Sequence, residues 1–133
     1  MSQITVAAVV GELGAVLDFI SERACDAGMD AKAVGECALA AEEIFVNIAN
    51  YAYAPETGDA TVRIEADGEG IFIEFADNGR PYNPLGRDDP DITLEASERT
   101  PGGLGIFMAK QLMDEIAYER RDGKNILTMR KKK

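Results

Sequence analysis

The chain has 133 residues, of which 46% are hydrophobic and 29% charged, with 24 acidic side chains, 14 basic ones and no histidine. This length and composition predict one domain over residues 1–133 and exclude a disordered chain. No apolar run approaches a membrane span and no signal peptide is evident, so we expect a cytoplasmic protein without membrane contacts. Residues 1–118 carry 7 basic and 22 acidic side chains, which excludes direct nucleic-acid binding and favours a basic protein partner.

The first half of the chain is predicted to form a short strand followed by two helices. Residues 3–9 have the composition of a strand, at best one at a sheet edge. Apolar residues at helical spacing predict a helix over residues 12–27. Asp30 is the expected N-cap of the second helix, which runs to about Tyr53.

The second half is predicted to form two β-hairpins separated by a loop and a helix. Apolar alternation on either side of an Asp-Gly turn predicts one hairpin over residues 60–77 and another over residues 117–130. Between them, the polar segment 78–101 has the length of a lid or binding loop. The helix that follows carries four apolar residues in register: Ile106, Ala109, Met113 and Ile116.

This order of elements predicts an α+β fold, a two-layer sandwich with about three helices on one face of a mixed sheet of about five strands. Cys25 and Cys37 fall in predicted helices. Since there is no C-x-x-C spacing and no histidine, we predict buried free thiols rather than zinc ligands. The basic run at residues 130–133 is interpreted as a solubilising tail rather than a docking segment.

One stretch of the second helix, residues 39–53, combines a core face with a polar strip. Five apolar residues recur at the spacing of one helix face: Ala41, Ile44, Phe45, Ile48 and Ala52. At ~100° per residue, Glu43, Asn47 and Asn50 fall within roughly 60° of one another on the opposite side. A solvated back face is the simplest interpretation. A chemical one requires other segments to bring a phosphate and a base to the strip.

Two later segments have suitable residues. The run G-G-L-G at residues 102–105 precedes a helix, where unpaired N–H groups and glycines suit a phosphate, although a plain loop-to-helix joint has the same pattern. Asp77 ends a strand and is followed by Asn-Gly-Arg-Pro. Its carboxylate would accept the amino group of adenine and repel the carbonyl oxygen of guanine. By itself, the Asp-Asn-Gly run is better interpreted as a plain turn.

Together these segments resemble the three nucleotide-binding boxes of the Bergerat ATPase fold, which gyrase, MutL and histidine kinases share. Glu43 and Asn47 form E-x-x-x-N on a helix, residues 77–81 form D-x-G-x-P after a strand, and G-G-L-G precedes a helix. The chain is most similar to the bacterial anti-sigma factor serine/threonine kinases of the RsbW and SpoIIAB type. This resemblance spans nearly the whole chain.

The resemblance implies that ATP and Mg²⁺ are the cofactors, and it implies a role for each matching residue. Glu43 would be the general base, and Asn47 would coordinate Mg²⁺ between the phosphates. Asp77 and Thr128 would recognise adenine, while Gly79 would let the backbone pass close to the base.

The resemblance also implies how the triphosphate is enclosed and which proteins bind. Gly103, Leu104 and Gly105 would border the triphosphate, and residues 86–101 would form the ATP lid. The partners would be a sigma factor and a STAS-domain anti-sigma antagonist. Family members commonly pair, so a homodimer is a further expectation.

The chain departs from the family pattern in two places. Residues 82–84 are Tyr-Asn-Pro where Phe-Asp-Pro is common, and Tyr51 stands where histidine is frequent. Neither departure replaces a residue with a predicted chemical role. Arg99, in the lid, is either a contact of the γ-phosphate or a surface arginine.

These observations predict an ATP-dependent protein serine/threonine kinase that phosphorylates the antagonist and binds the sigma factor once the antagonist is modified. Two other hypotheses remain open. A non-catalytic module of the same fold would use ATP only to set its affinity for a partner. A catalytic fragment would serve a phosphoacceptor histidine on a separate protein, because a chain without histidine cannot phosphorylate itself on one.

Overall fold

The computed structural model describes residues 2–53, 56–81, 83, 85 and 103–133. In chain order the elements are β1 Ser2–Ala7, a 3₁₀ turn Val10–Glu12, α1 Leu13–Asp26, α2 Ala31–Asn47, a π-turn Ile48–Ala52, β2 Asp59–Asp67, β3 Gly70–Asp77, α3 Gly103–Leu112, β4 Glu115–Arg121 and β5 Lys124–Lys132. The predicted lid, residues 86–101 with Arg99, lies outside the described residues, as does Gly102.

The five described strands form one sheet in the order β1-β2-β3-β5-β4, and each neighbouring pair is antiparallel. The predicted sandwich of about three helices and about five strands is confirmed, with β1 at an edge. The sheet is not mixed, however. A helical crossover from β3 through α3 would make β3 and β4 parallel neighbours in a mixed sheet. The second hairpin instead places β5 between β3 and β4, and β5 is antiparallel to both.

One face of the sheet carries the core and the helices. Strand alternation places apolar side chains of the three central strands on this face, and all are buried: Val62, Ile64, Ile71, Ile73, Phe75, Leu127 and Met129. α2 packs between α1 and α3. All five apolar residues predicted for its core face are buried too. Helix α2 is therefore the central element of the helical layer.

Local signals account for the ends of the helices. The Asp30 carboxylate accepts a 2.8 Å hydrogen bond from the backbone N–H of Ala33, so the predicted N-cap is confirmed. The helix predicted to reach Tyr53 is α-helical to Asn47 and then widens into the π-turn. The third helix ends at Leu112, earlier than predicted, and Ile116 lies on β4 instead.

The interpretation of residues 130–133 as a solubilising tail is wrong, because β5 continues to Lys132. The Arg130 guanidinium is buried, donates to the Asp67 carboxylate at 2.8 Å and stacks over the Phe72 ring at 4.2 Å. Its hydrogen bond is the main reason that the Asp67 pKa falls to about 2. Lys131 donates to the carbonyl oxygen of Leu112 at the end of α3. The basic run thus joins β5 to neighbouring elements.

The two thiols differ in exposure. Cys37 is buried as predicted, and burial raises its pKa to about 11, whereas Cys25 is exposed on α1. The prediction was wrong for Cys25 because it lies next to Ala24, which takes the buried position in that turn. Across the described residues, none of the helices combines the length and the apolar character that crossing a membrane requires.

Candidate active site

A cavity lies between the C-terminal end of α2 and the sheet, where β3 ends and β5 begins. It is partly open, and its empty space is about 370 Å³ with open solvent included. Its lining is mainly apolar but includes three buried polar side chains, those of Asn47, Asp77 and Asn125. The other lining residues are Ile44, Ile48, Ala52, Phe75, Tyr118 and Leu127. A concave apolar cavity with a few converging polar groups is typical of a small-molecule site.

Asn47 and Asp77, two of the predicted site residues, meet at this cavity. Asn47 is the last residue of α2, is only 8% exposed, and has no side-chain hydrogen-bond partner among the described residues. The polar strip predicted on α2 is therefore divided, because Asn47 is covered while Asn50 is exposed on the π-turn. A buried amide without a protein partner is costly to maintain and indicates a ligand.

Asp77 is held by one carboxylate oxygen and leaves the other available. Its Oδ1 accepts hydrogen bonds from the backbone N–H of Gly79 at 2.8 Å and from Nδ2 of Asn125 at 2.9 Å. Its Oδ2 has no hydrogen-bond partner in the described part of the chain, although the residue is only 4% exposed. The cavity therefore contains a fixed hydrogen-bond acceptor.

Gly79 allows a close approach within the protein itself. A Cβ at this position would lie 2.4 Å from the carbonyl oxygen of Ala52, at the end of the π-turn. The same oxygen accepts a 2.9 Å hydrogen bond from the backbone N–H of Arg80. The glycine thus brings the loop after β3 against the end of α2, which places Asp77 opposite Asn47.

The Tyr53 hydroxyl fixes the same loop from the other side. It donates to the carbonyl oxygen of Asp59 at 2.6 Å and accepts from the backbone N–H of Asn78 at 2.7 Å. Burial is the main cause of the raised pKa of this phenol. Tyr53 therefore ties the residue after Asp77 to the start of β2.

Thr128, predicted to recognise adenine, is not at the cavity. Successive side chains of a strand point to opposite faces, and the neighbouring Leu127 points to the helices. Thr128 lies on the other face of the sheet, in a groove that Arg63 and Glu74 also line. Its expected place on β5, beside Asp77, is occupied by Asn125.

Sequence reasoning missed Asn125 and the two residues that contact it. The Asn125 Oδ1 accepts from the Tyr118 hydroxyl at 2.5 Å and from Nη1 of Arg120 at 3.2 Å. One signal was present in the sequence: counting in twos from Leu127 and Met129, which are core residues, leads to Asn125 and not to Thr128.

Glu43 lies one helical turn before Asn47 on α2 and is half-buried. Burial, with a smaller contribution from the neighbouring Glu42, raises the pKa of its carboxyl. A carboxylate with a raised pKa is a better proton acceptor than a free one. Gly103, Leu104 and Gly105, which were predicted to precede the third helix, form its first turn instead, because α3 begins at Gly103.

Residues 6–131 match a family model described as a histidine kinase-like ATPase domain. The chain belongs to this family. Its fold is shared with the RsbU and RsbW domains of a Mycobacterium tuberculosis protein, at a TM-score of 0.64 and 15% identity, covering 98% of this chain and 32% of that one. A blue-light activated histidine kinase from Erythrobacter litoralis has a TM-score of 0.54 at 18% identity, over 89% of this chain and 59% of that one.

Curated relatives of this histidine kinase-like ATPase domain are named as protein kinases. The serine/threonine-protein kinase BtrW of Bordetella bronchiseptica is 30% identical over 92 residues, which are 68% of this chain and 65% of BtrW. The serine-protein kinase RsbW of Listeria monocytogenes is 25% identical over 113 residues, 81% of this chain and 72% of RsbW. The matched region is thus shorter than either relative.

The cavity of this domain fits a magnesium–nucleotide better than a metal ion alone. Among the described residues, no cluster of three or more His, Cys, Asp or Glu side chains is arranged to hold a metal. Mg²⁺ bound with nucleotides typically takes only one or two protein oxygens, and phosphates and water complete its shell. The buried amide of Asn47, for which the described part of the chain provides no hydrogen-bond partner, has an oxygen suited to that single contact.

Proposed function

We propose that this domain is an ATP-dependent protein serine/threonine kinase that phosphorylates a STAS-domain anti-sigma antagonist and sequesters a sigma factor, acting in the cytoplasm. One observation carries the proposal: Asn47 and Asp77 are both buried and line a single cavity, and each has a polar atom without a hydrogen-bond partner in the described ranges of the chain. The names of the kinase relatives support the activity. The net charge of −10 favours a basic region on a protein partner.

At one end of the cavity, Asp77 would recognise the base. Its free Oδ2 would accept the exocyclic amino group of adenine, and the apolar walls formed by Ile48, Phe75 and Leu127 would cover the faces of the ring. Guanine would place a carbonyl oxygen against the carboxylate and leave both acceptors unpaired. This arrangement supports a preference for ATP.

At the other end, α2 would hold the phosphates and position the proton acceptor. Asn47 would hold Mg²⁺, which when bound neutralises charge on the phosphate oxygens. The first turn of α3, from Gly103 to Gly105, would donate backbone N–H groups to the triphosphate. Glu43 would take the proton from a serine or threonine hydroxyl of the antagonist. In the same step the hydroxyl oxygen would bond to the γ-phosphorus, and the bond between the γ-phosphorus and ADP would break.

The test compares two adjacent glutamates of α2. Wild type, Glu43→Gln and Glu42→Gln are incubated with radiolabelled Mg-ATP and a STAS-domain partner, and the rate of transfer is measured. We expect Glu43→Gln to slow transfer by roughly 10²- to 10⁴-fold, the usual contribution of a general base. Glu42 has the same chemistry and a similar exposure but faces another direction, so Glu42→Gln should keep the wild-type rate.

Other outcomes would replace the proposal. Transfer by Glu43→Gln at the wild-type rate would remove Glu43 as the base. Binding of ATP without label on any partner would favour a non-catalytic module that uses ATP to set its affinity. Acid-labile label on the partner would favour a fragment that serves a phosphoacceptor histidine.

A further inference from the structure

Asn125 is the centre of a buried hydrogen-bond network beside Asp77. The residue is 6% exposed and is the second residue of β5, directly opposite Asp77 in the sheet register. Its amide nitrogen donates to Oδ1 of Asp77 at 2.9 Å and to the carbonyl oxygen of Arg80 at 2.8 Å. Its amide oxygen accepts from Tyr118 and Arg120. Protein groups therefore surround both ends of this amide.

The chemistry of the neighbours allows only one orientation of the amide. An arginine can only donate, so the atom that faces Arg120 must be the oxygen. A backbone carbonyl can only accept, so the atom that faces Arg80 O must be the nitrogen. A flipped Asn125 would place its oxygen against two acceptors, Asp77 Oδ1 and Arg80 O. The donor to Asp77 is thus specified by residues that do not touch Asp77.

Arg120 also joins this network to the loop that follows β3. The same Nη1 that contacts Asn125 donates to the carbonyl oxygen of Gly79 at 2.8 Å. The backbone N–H of Gly79 in turn donates to Asp77 Oδ1. Arg120, on β4, therefore fixes both donors to Oδ1: the Asn125 amide through a side-chain contact and the Gly79 N–H through the backbone.

We propose that Asn125, oriented by Arg120 and Tyr118, is the positioning residue that gives the cavity its preference for a 6-amino purine over a 6-oxo purine. Two donors fix Oδ1 of Asp77, so Oδ2 has one defined position and remains a pure acceptor toward the ligand. Without Asn125 the carboxylate can rotate, and the distinction between an amino group and a carbonyl oxygen weakens. The inference rests on the proposed binding of ATP and is independent of phosphoryl transfer.

The experiment measures the affinities for Mg-ATP and Mg-ITP, whose bases differ in the group at position 6 and in the proton that the 6-oxo base carries on N1. Four proteins are compared by titration calorimetry: wild type, Asn125→Leu, Arg120→Ala and Arg121→Ala. Arg121 is the matched control, since it is the same residue type one position along β4 and pairs with Glu119 at 3.1 Å on the other face of the sheet. Thermal unfolding of each protein is recorded alongside.

We expect the ratio of the two affinities in wild type to favour ATP. It should fall about tenfold or more in Asn125→Leu, which removes a hydrogen bond to a charged acceptor, and by a smaller factor in Arg120→Ala. Arg121→Ala should keep the wild-type ratio. A general loss of stability would weaken both nucleotides together, so a change in the ratio separates positioning from folding.

Three results would overturn the inference. One is a wild-type ratio in folded Asn125→Leu. If that variant does not fold, Arg120→Ala replaces it, because the Arg120 side chain lies at the surface. A wild-type ratio of the ATP and ITP affinities in Arg120→Ala would then overturn the inference. The third is a wild-type protein that binds neither nucleotide, which would overturn the proposed function as well. Nucleotide binding with an altered ratio but without kinase activity supports the inference and contradicts only the kinase.

Discussion

The two ends of the cavity differ in how much of their polar chemistry is satisfied by the protein. At the base end, Asp77 Oδ1 and Asn125 are hydrogen-bonded to side chains and backbone, and one oxygen, Oδ2 of Asp77, is left over. At the phosphate end, Asn47 is buried without a described partner, and burial works against the charge of Glu43. Under the proposed function, the second end would acquire its partners from a nucleotide, whereas the described residues already provide most of the partners at the first end.

This difference indicates that the residues at one end of the cavity mainly stabilise the fold, whereas those at the other end are arranged for a reaction. Groups that contact one another stabilise the fold and fix geometry in advance, which makes them suited to recognition. Buried polar groups whose hydrogen-bond partners come from a ligand lower the stability of the free protein. That loss is tolerated at sites where phosphates and a metal supply the partners. Mutations at the two ends should therefore separate into those that affect folding and those that affect reaction with ATP.

The largest effect should follow from changing the phosphate end. We expect Asn47→Leu to lower kcat/KM for phosphoryl transfer by roughly 100-fold or more, because a metal that neutralises phosphate charge contributes several kcal/mol. The measurement is the initial rate of partner phosphorylation at several concentrations of Mg-ATP. Asn50→Leu, an exposed asparagine one turn further along, serves as the control and should leave the rate unchanged.

The same substitution at the two asparagines should separate their effects on stability. Asn125→Leu leaves the Arg80 carbonyl without this donor and removes one donor from Asp77, so the free energy of unfolding should fall by about 1–3 kcal/mol. Asn47→Leu breaks no described hydrogen bond, so the change should be close to zero or stabilising. Urea unfolding of both variants gives the comparison. An equal fall in the free energy of unfolding in both variants would contradict the proposed difference between the two ends of the cavity.

A milder test at the base end removes one hydroxyl. Tyr53→Phe keeps the ring but loses the bonds to Asp59 and Asn78, so we expect the free energy of unfolding to fall by about 1 kcal/mol. The ATP affinity should weaken together with it, because the loop that carries Asp77 is less fixed. Urea unfolding and ATP titration measure the two effects. Unchanged values for both would exclude a role for this hydroxyl.

The smallest effect concerns the pH dependence contributed by Glu43. Its pKa is raised in the folded protein, so between the unfolded and folded pKa values the folded state binds more protons, and stability falls as pH rises through that window. Glu43→Gln should therefore be more stable than wild type at neutral pH. This gain should shrink as pH falls through the folded pKa and vanish below the unfolded one. Thermal unfolding across pH tests it, and a constant difference at every pH would contradict it.

Local patterns in the sequence predicted the elements that obey local rules. The spacing of apolar residues identified the core face of α2, and Asp30 identified its start, since both depend only on neighbouring residues. The site residues on α2 and at the end of β3 follow from those elements. Asn47 and Asp77 were therefore predictable, and the structure brings them to one cavity.

Features that depend on distant pairing were not predictable in this way. On β5 Ile126 is buried on the open face of the sheet, while Leu127 and Met129 face the helices, so an apolar residue on this strand does not by itself show which row faces the helices. Thr128 was assigned from the family resemblance, whereas in the sheet register Asn125 is the residue opposite Asp77. The mixed sheet and the solubilising tail were wrong because β5 pairs with β3 as well as with its hairpin partner β4, and β3 is remote in the sequence.

The position of β5 between β3 and β4 has a consequence for synthesis on the ribosome. Asp77 and Asn125 are 48 residues apart, so Asp77 leaves the exit tunnel well before the strand that completes its surroundings. A nascent chain that has emerged only through α3 would contain Asn47 and Asp77 but not Asn125. Under the proposed role of Asn125, its discrimination between purines would be weaker than that of the finished sheet, and nucleotide selection would reach its full extent only after β5 is translated.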